Sequence, residues 1–304
     1  MPSLTHFFET LYYRPKWYHW PVAILLLPLS LLNASIMWIR RVSAKPRHYG
    51  IPIVSIGNLL VGGSGKTPMT IELAGHFEKP AVVLRGYGRK SRGLRVVSEW
   101  GKIRTGVEES GDEAALLARS LKHGCVIVSE DRAEGIEEAK KMGAGVVFLD
   151  DGFSKVGIEK FDILLYPKRT PNMLPLPSGP FREFPFSRRY ADLVLTEEKE
   201  FERVVTCEGC DEPLLLVTAI ANPQRLERYL PKGLVKGRLI LPDHAWFDKE
   251  EIASAMKRAG VKKILTTEKD FVKLEPFGFE TALLKLRLRL DPKVVERVEK
   301  EVLS

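Results

Sequence analysis

Hydrophobic and polar positions fall into distinct regimes along the chain. From Val22 to Ile39 the run VAILLLPLSLLNASIMWI holds 14 apolar residues in 18 and no charge. Trp17, Tyr18 and Trp20 precede it, and Arg40, Arg41, Lys45 and Arg47 follow it. Crossing ~30 Å of hydrocarbon takes about 20 residues, so the run sits at the lower edge of a membrane span. Aromatic and basic flanks suit a segment held at a membrane interface. The run is too long for the apolar region of a cleavable signal, and no small-residue cleavage site follows. The pattern predicts a membrane-associated N-terminal helix, weakened by Pro28, Ser30, Asn33 and Ser35, that either crosses or lies in the interface. If it crosses, the basic cluster places the remaining chain in the cytoplasm.

From residue 51 onward short apolar runs alternate with helical periods. The pattern predicts strands at Ile51–Ile56, Ala81–Leu84, Cys125–Val128, Val146–Leu149 and Asp162–Tyr166, and helices at Thr67–Phe77, Asp112–Leu121 and Arg132–Met142. A second set follows, with strands at Leu193–Thr196, Leu214–Thr218, Leu239–Leu241, Lys263–Thr266 and Ala282–Leu288. Its helices lie near Pro223–Leu230, Lys249–Ala259 and Pro292–Val302. Strand–helix alternation with near-continuous apolar strands predicts an α/β fold, a parallel sheet with helices on both faces. Between the sets, Pro167–Pro185 carries Pro171, Pro175, Pro177, Pro180 and Pro185, which excludes a helix or a central strand there. This segment reads as a domain junction or a structured active-site loop. The expected division is a membrane-associated segment over 1–48, a larger domain over 49–184 and a smaller α/β domain over 185–304, whose last helix can pack back on the larger domain.

Composition changes this picture in two ways. The 304 residues carry 47 Lys plus Arg against 39 Asp plus Glu, a net charge of +8, which suits an anionic partner: nucleic acid, an acidic membrane surface or a phosphorylated substrate. The three cysteines, Cys125, Cys207 and Cys210, are too few for a disulfide framework and fit a reducing compartment. Cys207 and Cys210 form one C-x-x-C, half of a structural zinc site without its other half, and read as two incidental thiols.

The strongest chemical motif is GNLLVGGSGKTP over Gly57–Pro68, between a strand and a helix. Gly62, Gly63 and Gly65 let backbone N–H groups turn towards phosphate oxygens, Lys66 can reach the β- and γ-phosphates, and the Thr67 hydroxyl can ligate Mg²⁺. The first glycine of the eight-residue phosphate-loop frame is replaced by Leu60, so the frame runs Leu60, Val61, Gly62, Gly63, Ser64, Gly65, Lys66, Thr67. A phosphate loop needs an acidic strand end to hold its metal, and VVFLDDG over 146–152 supplies Asp150 and Asp151. Asp112 and Glu113 follow Gly111 at a helix start, where acidic residues also serve as caps. No N/T-K-x-D string occurs, which favours adenine over guanine.

Together these motifs resemble the tetraacyldisaccharide 4′-kinase family, the lipid A 4′-kinases. The resemblance is carried by GNLLVGGSGKTP, LRGYGRKSRG (84–93), SGDEAALLAR (110–119), SEDR (129–132), LDDGF (149–153), LPSGPFRE (176–183), ADLVLT (191–196), PDH (242–244) and LTTEKD (265–270). It implies a P-loop kinase domain with a smaller C-terminal α/β domain, ATP and Mg²⁺ as cofactors, and an acylated disaccharide lipid as substrate. It further implies a monomer at the cytoplasmic face of the bacterial inner membrane, with the lipid surface and not nucleic acid as partner. Matched position by position, it makes Asp112 the catalytic base and His244 its partner. Residues Leu60 to Thr67 hold ATP; Thr67, Asp150, Asp151 and Glu113 face the metal; Arg85, Tyr87, Arg182 and Glu183 face the substrate. The chain departs from the family where Ser154-Lys155 follows DDGF in place of Gln-His, and where Pro180-Phe181 stands for Asn-Leu. A rival reading is a P-loop ATPase or GTPase acting as a metallochaperone or targeting switch; it leaves the apolar segment and the PDH and FRE blocks without a role.

Overall fold

A computed structural model describes residues 4–63 and 65–303. Two helices open the chain, α1 (Leu4–Tyr13) and α2 (Trp20–Val42). The next elements are β1 (Ile53–Asn58), α3 (Lys66–Ala74), β2 (Pro80–Leu84), β3 (Arg95–Glu99), β4 (Lys102–Ile103), α4 (Val107–Ser110) and α5 (Asp112–Ser120). They continue with β5 (Cys125–Val128), α6 (Arg132–Lys141), β6 (Val146–Asp150), β7 (Phe161–Tyr166) and β8 (Leu193–Thr196). The eight strands form one sheet in the order β4-β3-β5-β2-β6-β1-β7-β8. Pairs β1–β7, β7–β8 and β2–β5 are parallel, while β3 runs antiparallel to β4 and β5. Every residue of β1, β2, β5 and β6 is buried, which is why these sequences read as continuous apolar runs and do not alternate.

The second sheet comprises β9 (Phe201–Glu208), β10 (Leu214–Thr218), β11 (Val235–Ile240), β12 (Lys263–Thr267) and β13 (Thr281–Leu290), in the order β11-β10-β12-β13-β9. Its helices are α7 (Lys249–Ala259) and α8 (Glu268–Leu274), and α9 (Pro292–Leu303) closes the chain. The Asp248 carboxylate caps α7 by accepting from the Glu251 N–H, and Gly260 ends it in the left-handed conformation. Ile252, Ala255 and Met256 of α7 bury against Leu215, Val217 and Ile264.

Several elements differ from the sequence expectation. Leu193–Thr196 belongs to the larger sheet, in register with Ile163–Tyr166, and does not begin the second one. Strands β3, β4 and β9 are half-exposed and charged, so no apolar run marks them. Of the strand expected at Leu239–Leu241, Leu239 and Ile240 end a longer strand that starts at Val235 and alternates between intermediate and exposed positions, and Leu241 lies beyond it. Residues 223–229 wind as a 3-10 helix after Pro223. Cys207 and Cys210 are joined by a local disulfide around Gly209, Cα atoms 5.9 Å apart, and are not two separate thiols.

The chain groups into two compact units, one formed by residues 1–66, 149–201 and 291–304, the other by residues 67–148 and 202–290. In the first unit α2 keeps one face against the protein along its whole length. Ala23, Ser30 and Ala34 are fully buried, and the Arg41 side chain is nearly so. At 100° per residue these four positions share one narrow stripe. Ser30 Oγ donates to Ser178 Oγ (2.7 Å), Ser178 Oγ donates to the Ala23 carbonyl (2.7 Å), and Trp38 Nε1 donates to the Tyr190 hydroxyl (3.2 Å). Arg41 donates to both oxygens of Glu183, at 3.0 and 2.9 Å. The opposite face presents Ile24, Leu25, Leu29, Leu32, Ile36 and Ile39 to the outside.

Candidate active site

In the first unit the phosphate loop leaves the end of β1. A Cβ on Gly57 would lie 2.3 Å from the Cβ of Phe153, so only glycine lets β1 and the turn after β6 approach this closely. Gly62 and Gly65 have φ of +92° and +90°, a region a side chain would strain, and the space where a Cβ of Gly63 would stand is open. The loop therefore exposes main chain, and α3 begins at Lys66, adding the positive end of its dipole. Ser64, expected among the ATP ligands, lies outside the described residues. Lys66 Nζ stands 3.4 Å from Asn58 Oδ1 and 3.6 Å from Asp151 Oδ1. Arg182 Nη1 donates to both oxygens of Asp151, at 3.2 and 3.1 Å. Asp151 thus gathers two cations at the tip of β6, beside the buried Asp150.

The proline-rich segment is built into this site. Phe181 forms an antiparallel bridge with Leu60, the Val61 N–H donates to the Pro180 carbonyl (3.0 Å), and the Arg182 N–H donates to the Leu59 carbonyl (2.7 Å). Three expected ligands are spent on this scaffold. The Leu60 side chain is buried with Leu59, Phe153, Leu164 and Phe181. The carbonyl of Val61 accepts from the Tyr13 hydroxyl while its N–H is taken by Pro180. Glu183, expected to face substrate, is sunk in its ion pair with Arg41, only 3% of its side chain exposed. Its carboxylate ties the segment to α2 through Arg41.

In the second unit α5, α8 and the loop before α7 converge. Gly111 has φ +85°, and a Cβ there would come 2.7 Å from the Tyr87 carbonyl, so glycine admits the turn that starts α5 with Asp112. The Asp112 carboxylate is buried. It meets His244 Nδ1 at 3.0 and 2.9 Å, Lys273 Nζ at 3.1 Å and its own helix through the Glu113 N–H at 2.9 Å. Burial alone would push this carboxyl up. The hydrogen bond from His244 and the charges of Lys269, His244 and Lys273 outweigh it and hold the group at about 2, against the usual 3.8. An ionised carboxylate only accepts, so Nδ1 of His244 carries the proton. The same hydrogen bond raises the imidazole above its ordinary value, against burial and Lys269. The imidazole therefore orients the carboxylate and lowers its basicity.

Around the pair, Tyr87 packs on His244 with ring centroids 5.0 Å apart, and Trp246 is partly exposed. Glu113 is held by Lys269 at 3.4 Å. Arg85 is exposed just beyond β2. Lys269 and Lys273 are the site residues that the sequence reading misses. Their helix was signalled by Thr267-x-x-Asp270, a capping pair that forms as its spacing suggests: Thr267 Oγ1 accepts from the Asp270 N–H at 3.2 Å.

Among the described residues no three His, Cys, Asp or Glu side chains form a ready-made metal cage. Mg²⁺ in a phosphate loop does not need one, because phosphate oxygens and water fill most of its sphere. The hard oxygen donors at the end of β6, Asp150 and Asp151, fit that demand.

The family model described as tetraacyldisaccharide-1-P 4'-kinase matches residues 22–303. The chain is 47% identical to the tetraacyldisaccharide 4'-kinase of Aliarcobacter butzleri over 94% of this chain and 93% of that one. It is 42% identical to that of Helicobacter pylori strain HPAG1 over 100% and 97%. Among solved structures, LpxK from Aquifex aeolicus in complex with ATP superposes with a TM-score of 0.78 at 28% identity, covering 92% of this chain and 99% of that one. A phosphate loop after a buried strand, a paired acid strand end and a full-length match at this identity place the chain in the tetraacyldisaccharide-1-P 4'-kinase family.

Proposed function

We propose that the protein transfers the γ-phosphoryl group of ATP to the 4′-hydroxyl of a tetraacylated glucosamine disaccharide 1-phosphate, with the Asp112–His244 pair accepting the hydroxyl proton. The hydroxyl oxygen bonds to the γ-phosphorus, the bond from that phosphorus to the bridging oxygen of ADP breaks, and the proton passes to the pair. Lys66 compensates the β/γ-phosphate charge, and the N–H groups from Gly62 onward cradle it. Asp150, Asp151 and Thr67 would hold Mg²⁺, which would supply further neutralisation of the phosphates. Arg182 holds Asp151 ready, while Arg85 and Tyr87 border the acceptor. The observation that carries the reading is the contact between His244 Nδ1 and the buried Asp112 carboxylate, at 2.9 Å, in a chain that also carries a phosphate-loop motif. Two groups this closely coupled hold the proton as a pair and not as separate residues.

The setting we infer is the membrane interface. A spanning α2 would drag its protein-packed stripe, and the Arg41–Glu183 pair, into hydrocarbon. Lying flat, it keeps that stripe on the protein and turns Ile24, Leu25, Leu29 and Leu32 to the lipid, as an interfacial helix does. A lipid substrate then reaches the enzyme without leaving its leaflet.

The test is a double-mutant cycle on turnover. Groups serving one proton transfer lose their effects together. Asp112→Asn with His244→Ala should be barely worse than the poorer single variant, with each single loss on the order of 10²–10⁴-fold. Independent, multiplying losses would refute the pair as one base.

A further inference from the structure

We propose that Lys273 is a positioning residue for phosphoryl transfer, its ammonium clasping the Asp112 carboxylate to the loop that carries His244. The inference rests on the role proposed above for the Asp112–His244 pair. Lys273 lies on α8 with only 3% of its side chain exposed, and Asp112 is equally buried. Its Nζ donates to Asp112 Oδ2 at 3.1 Å and to the Ala245 carbonyl at 3.0 Å. One cation thus joins the start of α5 to the residue after His244. The rings of Trp246 and Phe247 stand 6.0 and 5.5 Å from the ammonium and shut it off from solvent.

The clasp has something to hold. His244 sits at φ +61°, a left-handed conformation that a non-glycine residue keeps only where its surroundings over-determine it. The His244 N–H donates to the Ala219 carbonyl at 3.1 Å, and the Ala219 N–H is in turn accepted by Asp270 Oδ2 at 3.2 Å. Asp270 and Lys273, three residues apart on α8, therefore brace the His244 loop from two points of one helix face. The charged groups facing the pair are Lys269 and Lys273 from α8, Asp243 from the loop and Glu113 from α5. Lys269 is engaged with Glu113 and Asp243, so among these Lys273 is the cation whose hydrogen bond reaches the Asp112 carboxylate. The geometry assigns it orientation of the base, through its hydrogen bonds to Asp112 and to the Ala245 carbonyl.

The experiment uses the full chain with ATP, Mg²⁺ and detergent-dispersed disaccharide lipid. Lys273→Met keeps the length of the stem and removes the ammonium; Lys273→Arg restores a cation and guards against a variant that fails to fold. Turnover, nucleotide affinity by direct titration with ADP, melting, and the ring signals of ¹⁵N-labelled histidines are read for each, alongside His244→Ala and the His244→Ala/Lys273→Met pair. The proposal expects Lys273→Met to lose turnover on the order of 10²-fold with ADP affinity unchanged. It expects Lys273→Arg to recover at least part of that loss, the His244 signals to shift, and the pair to be no worse than His244→Ala. Full turnover in Lys273→Met, losses that multiply in the pair, or an unmoved His244 signal would overturn it while leaving the pair itself intact. Near-normal turnover in His244→Ala would instead overturn the pair, and the positioning role with it. Should Lys273→Met not fold, an Arg variant that folds with turnover no better than about 1% of wild type also counts against the clasp, since its cation is present.

Discussion

At the residue scale the two charge clusters make separable predictions. In the proposed function Lys66 compensates the charge of the transferred phosphoryl group; its ammonium stands beside Asn58 and Asp151. Lys66→Ala should cut turnover by ~10²–10³, the usual consequence of losing one preorganised charge contact. Near wild-type turnover at saturating ATP would contradict the assignment. The Asp112–His244 pair predicts a pH signature in stability. Asp112 titrates at about 2 in the folded protein against 3.8 ordinarily, so its contribution is present above 3.8 and lost as pH falls towards 2. That lowering corresponds to stability on the order of 2 kcal/mol. His244 has the opposite sign: its value is raised, so its contribution is complete below the ordinary 6.5 and lost as pH climbs through the folded value. Denaturant titrations of wild type and Asp112→Asn should therefore differ most between about pH 4 and 6.5, converge as pH falls towards 2, and narrow only in part above 6.5, where Asp112 stays ionised beside Lys269 and Lys273. A gap that does not change with pH would mean the pair is not ionised as described.

At the element scale α2 is the telling case. Its exposed and buried faces should answer differently to substitution. Leu25→Glu with Leu32→Glu, on the outer face, should abolish flotation with phospholipid vesicles and leave the melting temperature within a few degrees, since exposed positions carry little folding energy. Ala34→Leu, on the buried stripe, should cost roughly 1–3 kcal/mol by overpacking. Arg41→Met should cost about 3–5 kcal/mol, because it strands the Glu183 carboxylate. Equal responses from both faces would mean the helix does not lie against the protein as described. The sequence shows the outer face plainly, as an apolar run with aromatic and basic flanks. It hides the inner one, because Ser30 looks like an interruption of a span until Ser178 is seen to close on it. Other elements follow the same logic. Strands buried on both sides, such as Cys125–Val128, are legible to the residue because burial forces every position apolar. Half-exposed strands such as Arg95–Glu99 and Phe201–Glu208 follow their neighbours' hydrogen bonding, which no local pattern records. Asp112 and His244 were legible as a pair through the family resemblance alone. Lys273 was not, because its meaning depends on a contact across 161 positions of sequence.

At the scale of the whole molecule, the parts answer to one substrate. In the proposed function, a phosphate loop and acidic strand end serve ATP, the Asp112–His244 pair serves a hydroxyl, and the exposed apolar face of α2 serves a lipid surface. Removal of Mg²⁺ with EDTA should abolish transfer and excess Mg²⁺ should restore it, since no ready-made metal cage forms among the described residues and phosphate oxygens would complete the sphere. The central claim is transfer to one hydroxyl, and the most direct measurement incubates the purified full chain with γ-³²P-ATP, Mg²⁺ and tetraacyl disaccharide 1-phosphate in mixed micelles. The account predicts labelled lipid whose new phosphate is placed at the 4′ position by NMR, formed by wild type and lost in His244→Ala. Labelled inorganic phosphate in place of labelled lipid, or label on any other position of the disaccharide, would contradict it.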